Sequence, residues 1–440
     1  MSKILPAIGL ISAALNNFNP FPYDAGFDIE KVTQLAVDLP SHSWEFGATA
    51  EALIELENPQ FSVFGVAPFP VANVSRTKVR ALDYVANNAR LGGARYDALD
   101  RGNGAAGDPA SMGVFAVMLG KRDEGYANAA RRTAQGLLED VPRMQNGAIS
   151  HRANTAEVWA DFMYMVPPFL AYYAADQEDL GLLRETVRQC RLYREILQQE
   201  SNQPHNGAWR HIIGPQSQDT GLWSSGNAWA AGGMTRVLAT VMKAPVAATD
   251  EAWQQGAITT LTGFIKEIID GAMASNHDGG LLRNYFQDVG GPHGFGEISG
   301  SSLLAATAYR MAVLQPSVFG QRYITWAEGI RRTLGRNDRN GNPHVTRTGI
   351  VTPAVNPLGW LDTRPFTTGS PEGQAFVVLM YAAYRDCIHS AVCSRPQTEG
   401  SGSNFGTGNG STAGSTAGSR RMVKRNHVHR RAPHGDRRSN

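Results

Sequence analysis

The sequence predicts an all-α chain closed into a barrel of six helical hairpins, the (α/α)6 toroid. Three observations predict it. First, a dozen segments carry apolar residues at helical spacing, while strand-like alternation is scarce. Second, segments rich in small residues alternate with segments that are polar on one face. Third, no fixed period of 34 to 47 residues runs through the chain, which counts against an open solenoid.

The helical segments are placed at about 28–39, 44–56, 74–91, 107–120, 122–138, 156–175, 179–199, 220–242, 250–275, 296–315, 318–335 and 369–386. Gly221 to Leu238 and Ser299 to Tyr309 are full of Gly, Ala and Ser, so their backbones can approach closely and suit an inner ring. Arg122 to Leu138 and Leu183 to Glu200 are charged on one face and suit an outer, solvated ring. Val158 to Ala175 holds a single charge, Asp161, and the pair Pro167-Pro168; it reads as a core helix and not as a membrane span. The loops at 142–152, 201–218, 276–296 and 336–371 carry Gly, Pro, Asn and His. In a helical barrel such loops gather at the mouth and supply binding groups.

Composition narrows the function. A hydrophobic share of 42% and a charged share of 18% support a large core. The net charge of +2 hides a basic end, Arg420 to Arg438, with eight Lys or Arg against one acid. The remainder is net acidic with no basic stripe, so nucleic-acid binding by the domain is not expected. Thr398 to Gly418 is a Gly/Ser/Thr/Asn-rich linker. The expected domains are a signal-like segment over 1–20, a barrel over 21–395 and a disordered linker with a basic tail over 396–440. The signal-like segment, Met1-Ser2-Lys3 followed by an apolar run to Leu15, and the sequons at Asn73 and Asn409 point to an extracellular protein. Cys387 and Cys393 are close enough to be bridged in an oxidising compartment, and Cys190 reads as a small buried hydrophobe. No metal-ligand spacing, phosphate loop or nucleophile elbow is present, so no metal or organic cofactor is expected. The expected partner is an oligosaccharide, bound by a monomer.

Two acids stand out. Asp161 lies in Val158-Trp159-Ala160-Asp161-Phe162-Met163-Tyr164-Met165, where apolar surroundings would dehydrate a carboxylate and raise its pKa, as a general acid needs. A structural Asp bonded to a helix end or a buried Arg is the other reading. Asp108, before Pro109, reads first as a helix N-cap, a role compatible with facing a substrate. His151 and His211 lie in loops, the latter beside Trp209 and Arg210.

Several runs resemble the unsaturated uronyl hydrolases of glycoside hydrolase families 88 and 105. They are Pro142-Arg143 with Gly147 and His151-Arg152; Trp159-Ala160-Asp161 through Met165 to Pro168-Phe169; Arg210-His211; Trp223-Ser224-Ser225-Gly226-Asn227-Ala228-Trp229; Gly296-Glu297-Ile298-Ser299; and Gly369-Ser370-Pro371-Glu372. Trp44 and Gly107-Asp108 fall in place upstream, and the resemblance spans roughly residues 40 to 390. It implies the same barrel and an unusual reaction, hydration of the C4=C5 double bond of a terminal unsaturated uronic acid. By motif, Asp161 is the general acid/base, Asp108 the second carboxylate, and His211 a holder of water or substrate. His151, Trp44, Trp223 and Trp229 would line the pocket. One position departs: Ser225 stands where the family has an Arg that helps hold the uronate carboxylate, and a hydroxyl does not replace a bidentate guanidinium. Arg210 and Arg283 are the candidates to compensate. Rival expectations are a conventional glycosidase, whose carboxyl separation of about 6.5–9.5 Å or about 5–5.5 Å would decide inversion or retention, and a non-catalytic carbohydrate-binding protein.

Overall fold

A computed structural model describes residues 18–199 and 205–395. The signal-like segment, except its last three residues, and the expected tail over 396–440 lie outside the described residues. Twelve α-helices form among the described residues: α1 (Ile29–Asp38), α2 (Ser43–Glu57), α3 (Arg80–Asn88), α4 (Gly113–Gly120), α5 (Glu124–Glu139), α6 (Phe162–Asp176), α7 (Leu180–Leu197), α8 (Ser224–Lys243), α9 (Glu251–Ala274), α10 (Ile298–Leu314), α11 (Gln321–Leu334) and α12 (Pro371–His389).

They alternate between two rings. The even-numbered helices pack in the order α2, α4, α6, α8, α10, α12, and α12 closes back on α2. A short 3-10 turn, Asp108–Met112, leads into α4 and fills the gap between α2 and α6. Each odd-numbered helix covers an inner one: α1 lies on α12, α3 on α2, α5 on α4, α7 on α6, α9 on α8 and α11 on α10. This is the (α/α)6 toroid. Residue composition decides the ring. Every residue of α8 from Ser224 to Val241 is buried, whereas α11 buries only Tyr323, Ile324, Ala327, Ile330 and Leu334. Four of the six outer helices start on an aspartate cap: the Asp28, Asp123, Asp179 and Asp250 side chains each accept from a backbone N–H in the first turn.

Inner helices meet through small residues. Pro167 has no N–H to give to Met163 O one turn earlier. Gly233 of α8 lies against that carbonyl, where a Cβ would stand 1.9 Å from the oxygen. The tandem proline in α6 and the bare backbone of α8 therefore form one contact.

Two expected segments are shorter than the pattern suggested. The segment expected at 74–91 is a 3-10 turn at Arg76–Lys78 followed by α3, because Val74, Thr77 and Val79 are stiff β-branched residues. The segment expected at 156–175 starts only at Phe162. Before it, Val158–Trp159 pairs antiparallel with Ile212–Ile213. Cys387 and Cys393 form a disulfide at the end of α12, and Cys190 is free and buried.

At the closed end the inner ring is tied by a buried ionic lattice. Arg236 of α8 donates to Glu51 Oε2 at 2.8 Å, to Tyr164 Oη at 2.8 Å and to Glu55. Arg310 of α10 donates to Glu55 Oε2 and to Asp386 Oδ2, both at 2.6 Å. Arg385 of α12 donates to the carbonyls of Glu55 and Leu56, both at 2.6 Å. Among the described residues no helix is long and apolar enough to cross a membrane.

Two alanine substitutions should separate the rings. Gly233→Ala forces a methyl against a backbone carbonyl and should destabilise by about 1–3 kcal/mol. Gly263→Ala, on the open side of α9 where nothing lies within 4 Å of a new Cβ, should stabilise by about 0.5–1 kcal/mol. Urea denaturation of both proteins checks this; equal effects would contradict the assignment of α8 to the inner ring.

Candidate active site

All six inner helices begin at the same end of the toroid, and the loops before them wall a cavity of about 380 Å³. A volume in this range holds a sugar residue and part of its neighbour. The floor is acidic. Asp108 opens the 3-10 turn before α4, Asp161 immediately precedes α6, and Glu372 lies in the first turn of α12. Unlike the outer-ring aspartates, Asp108 and Asp161 cap nothing: neither side chain accepts a backbone N–H at its helix start. The cap reading of Asp108 is thereby corrected, and both carboxylates are left to face the cavity.

Local pairing places Asp161. In the two-residue ribbon Trp159 lies opposite Ile212, and Ala160 N donates to His211 O at 2.9 Å. The residue after one strand and the residue before the other are thus brought together, with His211 Nε2 3.2 Å from Asp161 Oδ2. On its other side His211 Nδ1 lies 2.9 Å from Asp219 Oδ2, which also accepts from Tyr285 Oη at 2.6 Å. Burial works against charge on His211, but Asp161 and Asp219 outweigh it and raise its pKa. Asp219 is buried too, yet its bonds from His211 and Tyr285 hold it below the usual carboxylate range. The result is an imidazolium between two carboxylates.

Asp108 is in a different state. Burial, then the nearby Asp161, push it up to about 8, against a smaller pull from Arg152. The dehydrated carboxyl of the pair is therefore Asp108. Asp161 has apolar sequence neighbours, but its side chain is aimed at the cavity and an imidazole. His151 is neutral: burial, Arg152 and His211 all lower its pKa. Its Nε2 lies 3.5 Å from Asp108 Oδ1 and its ring stacks on Trp159 at 4.7 Å. Gly107 makes that fit, since a Cβ there would meet His151 Nδ1 at 2.9 Å.

The walls are aromatic and basic. Trp44, Trp159, Trp223 and Trp360 line the cavity, and so do Arg90, Arg101 and Arg152. The Arg152 guanidinium lies 4.6 Å over the Trp159 ring, and its buried Nε, which makes no hydrogen bond, stands 3.9 Å from Glu157 Oε1. Glu372 is 2% exposed; its Oε1 accepts from Trp44 Nε1 at 3.0 Å and its Oε2 has no partner. Burial, then Asp161 and Glu45, push Glu372 well above the usual carboxylate range. Its place in the first turn of α12 favours the anion by about 0.3–1 kcal/mol. An unpaired buried carboxylate loses several kcal/mol of hydration, so burial wins.

Six of the residues singled out in the sequence line this cavity: Asp108, Asp161, His211, His151, Trp44 and Trp223. Three do not. Trp229 is fully buried below it, edge-on to Tyr164 and Phe376. Ser225 is fully buried where α8 meets α10, so its hydroxyl does not stand where a carboxylate-binding guanidinium would. Arg210 lies off the cavity in the strand-like segment that pairs back onto Leu197. Arg283, the other candidate to compensate, does not line the cavity and donates to the carbonyl of Gly294. The cavity cations are Arg90, Arg101 and Arg152. Arg152 sits beside His151 in a run already noted in the sequence. Asp219 and Trp360 come from loops whose local sequence reads as turns. Glu297, in another noted run, is a cap, accepting from Ser299 N, Gly300 N and Val355 N.

A closed helical toroid with paired carboxylates, tryptophan walls and arginines in one mouth cavity is the arrangement of a carbohydrate-active hydrolase. The family model for Glycosyl Hydrolase Family 88 matches residues 104–386, and the chain belongs to that family. It is 27% identical over 123 residues to the unsaturated rhamnogalacturonyl hydrolase YesR of Bacillus subtilis (strain 168), a match covering 26% of this chain and 35% of that relative's length. A possible family 105 member from Salmonella enterica serovar Paratyphi A superposes with TM-score 0.60 at 15% identity, over 88% of this chain and 96% of its own. The unsaturated glucuronyl hydrolase of Bacillus sp. GL1 superposes with TM-score 0.54 at 14% identity, over 82% and 96%. At these identities the two structures speak for the fold.

The imidazolium is open to direct test. His211 should remain charged above the ordinary histidine value of 6.5, and Asp219→Asn should lower its pKa. Because the folded-state value is raised, the stability this histidine contributes is fully present below 6.5 and lost as pH rises through the folded value. Histidine Cε1–Hε1 NMR titration of both proteins checks it; an unchanged His211 curve in Asp219→Asn would refute the linkage.

Proposed function

We propose that the cavity takes the terminal unsaturated uronic acid of an oligosaccharide and hydrates its C4=C5 bond. The observation that carries this reading is the convergence of Asp108 and Asp161 on one cavity, with Asp108 pushed up to about 8 and arginines on the wall. Asp161 gives a proton to C4 of the enol ether while water adds at C5. The Asp161 carboxylate then takes the proton that the water gives up. The product is a hemiketal, which opens and releases the next sugar, so one water is consumed and the acid is restored. Asp108, pushed up to about 8 by burial and by Asp161, adds no negative charge beside Asp161 at neutral pH. His211 orients the attacking water and offsets charge on Asp161. Arg152 receives the uronate carboxylate in place of the family arginine absent at Ser225, through the guanidinium that lines the cavity over Trp159. The tryptophans supply flat apolar faces for the ring. The match to a rhamnogalacturonyl hydrolase over 123 residues supports pectin-derived fragments as the substrate class. The Cys387–Cys393 disulfide supports an oxidising, extracellular setting.

The raised value of Asp108 favours a second assignment, in which Asp108 itself donates to C4 and Asp161 serves the water. Loss of the unsaturated-uronate absorbance, followed with lyase-generated pectin and glycosaminoglycan disaccharides, decides between them. The parent should remove the chromophore, with kcat/KM falling as pH rises through about 8 because a protonated acid is lost. Asp161→Asn should lower kcat about 10²–10⁴-fold. If Asp108→Asn is the deader variant, the roles are exchanged. If no disaccharide loses absorbance, hydration is wrong for this protein. Arg152→Ala should raise KM at least about tenfold, the weight of one charge-assisted contact, and Arg152→Lys should recover part of it; an unchanged KM removes Arg152 from carboxylate binding.

A further inference from the structure

Glu372 is the buried acid that the hydration chemistry leaves unused. It stands on the cavity wall, anchored by one oxygen to Trp44 Nε1 at 3.0 Å, with the other oxygen buried, unpartnered and lining the same space as Asp161. A structural glutamate would be expected to use both oxygens, as Glu297 does with three backbone N–H groups. The charged groups around Glu372 come from three other elements: Glu45 of α2, Asp161 before α6 and Glu297 at the start of α10. All three are acids, and no guanidinium or ammonium donates to it. Nothing in its surroundings compensates an anion, while a neutral carboxylic acid accepts the Trp44 bond with one oxygen and keeps an O–H to donate with the other.

We propose that Glu372 is a positioning residue that, as a neutral carboxylic acid, donates the hydrogen on Oε2 to a hydroxyl oxygen of the bound uronide. This deepens the hydration reading and rests on it for the identity of the ligand. Arg152 lies on the Asp108 and His151 side of the cavity, and Glu372 on the Trp44 side. The sugar is then held at two edges, its carboxylate by the guanidinium and its hydroxyl edge by the acid. The neutral state also serves entry. An ionised Glu372 beside Asp161 would repel a uronate, and a protonated one does not. Buried acids kept neutral so that they can donate are a known catalytic device.

Infrared difference spectra of parent minus Glu372→Gln test the protonation state without relying on turnover. A protonated-carboxyl C=O band assigned to Glu372 is expected at neutral pH. In the Asp161→Asn background, adding the lyase-generated unsaturated pectin disaccharide should shift that band to lower frequency. Kinetics in the otherwise native protein supply the second arm. Glu372→Ala should raise KM about tenfold with little change in kcat, and Glu372→Gln, still neutral and still a donor, should recover most of the loss. Melting curves keep folding defects apart from binding ones, and Trp44→Phe reports what the anchor alone contributes. Absence of the band at neutral pH, or a Gln variant as impaired as Ala, overturns the proposal. If the parent turns over no disaccharide, the hydration reading fails, while the band and its response to the disaccharide still decide the state and contact of Glu372.

Discussion

The lattice centred on Glu55 is the interaction on which the rest of the toroid depends. One carboxylate accepts from Arg236 and Arg310, and its own backbone carbonyl accepts from Arg385. Through it α2, α8, α10 and α12 are joined at one level, and Tyr164 brings in α6. Such a lattice is weak evidence for stability, because stripping water from its ions offsets much of the attraction. Its value is directional. A hydrophobic plug would tolerate a helix sliding by a turn; three arginines that each meet named oxygens on neighbouring helices do not. Glu51, pushed up to about 7 by burial despite Arg236, marks the edge of what that environment compensates.

Fixing the closed end fixes the open one. Glu55, Arg236, Arg310 and Arg385 lie in the C-terminal halves of their helices, so the N-terminal turns of α2, α8, α10 and α12 emerge together at the other end, while Tyr164 reaches the lattice from the first turn of α6. N-terminal turns carry unsatisfied N–H groups and the positive end of the helix dipole. Acids are expected there in any helical protein, and the outer ring uses its acids to cap. The inner ring separates the two roles. Glu297 caps, whereas Asp108, Asp161 and Glu372 stand at helix starts without capping them. An acid at a helix start whose oxygens are not spent on the backbone is in a position to act on something else.

The fold was legible because it depends on periodicity and residue size. Each of the twelve expected segments contains a helix, and the contrast between Gly221–Leu238 and Leu183–Glu200 separated inner from outer. The site was legible only where side-chain role follows from local sequence. Asp161 stood out as the lone charge in an apolar run, but that run was taken as its environment. Val158–Trp159 pairs instead with Ile212–Ile213, a contact across more than fifty residues that no local pattern announces. That pairing, not the helix, sets Asp161 against His211. Trp229 and Ser225 misled for the opposite reason: six and two residues beyond Trp223, their side chains are fully buried in the packing around α8. Arg152 and Glu372 lie in motif runs, yet a loop arginine and a first-turn glutamate each have ordinary structural uses, and only three-dimensional placement shows both residues lining one cavity.

The same placement answers the problem posed by Ser225. A cavity floored by three acids is a poor receptor for an acidic sugar, and losing an arginine from it makes matters worse. The charge balance changes once the protonation states are counted. Asp108 is neutral up to about 8, and Glu372 is held neutral by burial among other acids. Asp161 is faced by an imidazolium that Asp219 keeps charged. Of the three floor acids, then, burial favours the neutral form of two, and the third faces a histidine whose charged form is favoured. The arginines on the wall are left over for the ligand, and Arg152, stacked on Trp159, is the best prepared among them because little side-chain entropy remains to be lost when it binds. An anion-binding site can thus be built from acids, provided burial favours their neutral form, and on the hydration reading the guanidinium proposed to hold the uronate comes from Arg152, in the loop beside His151, and not from α8.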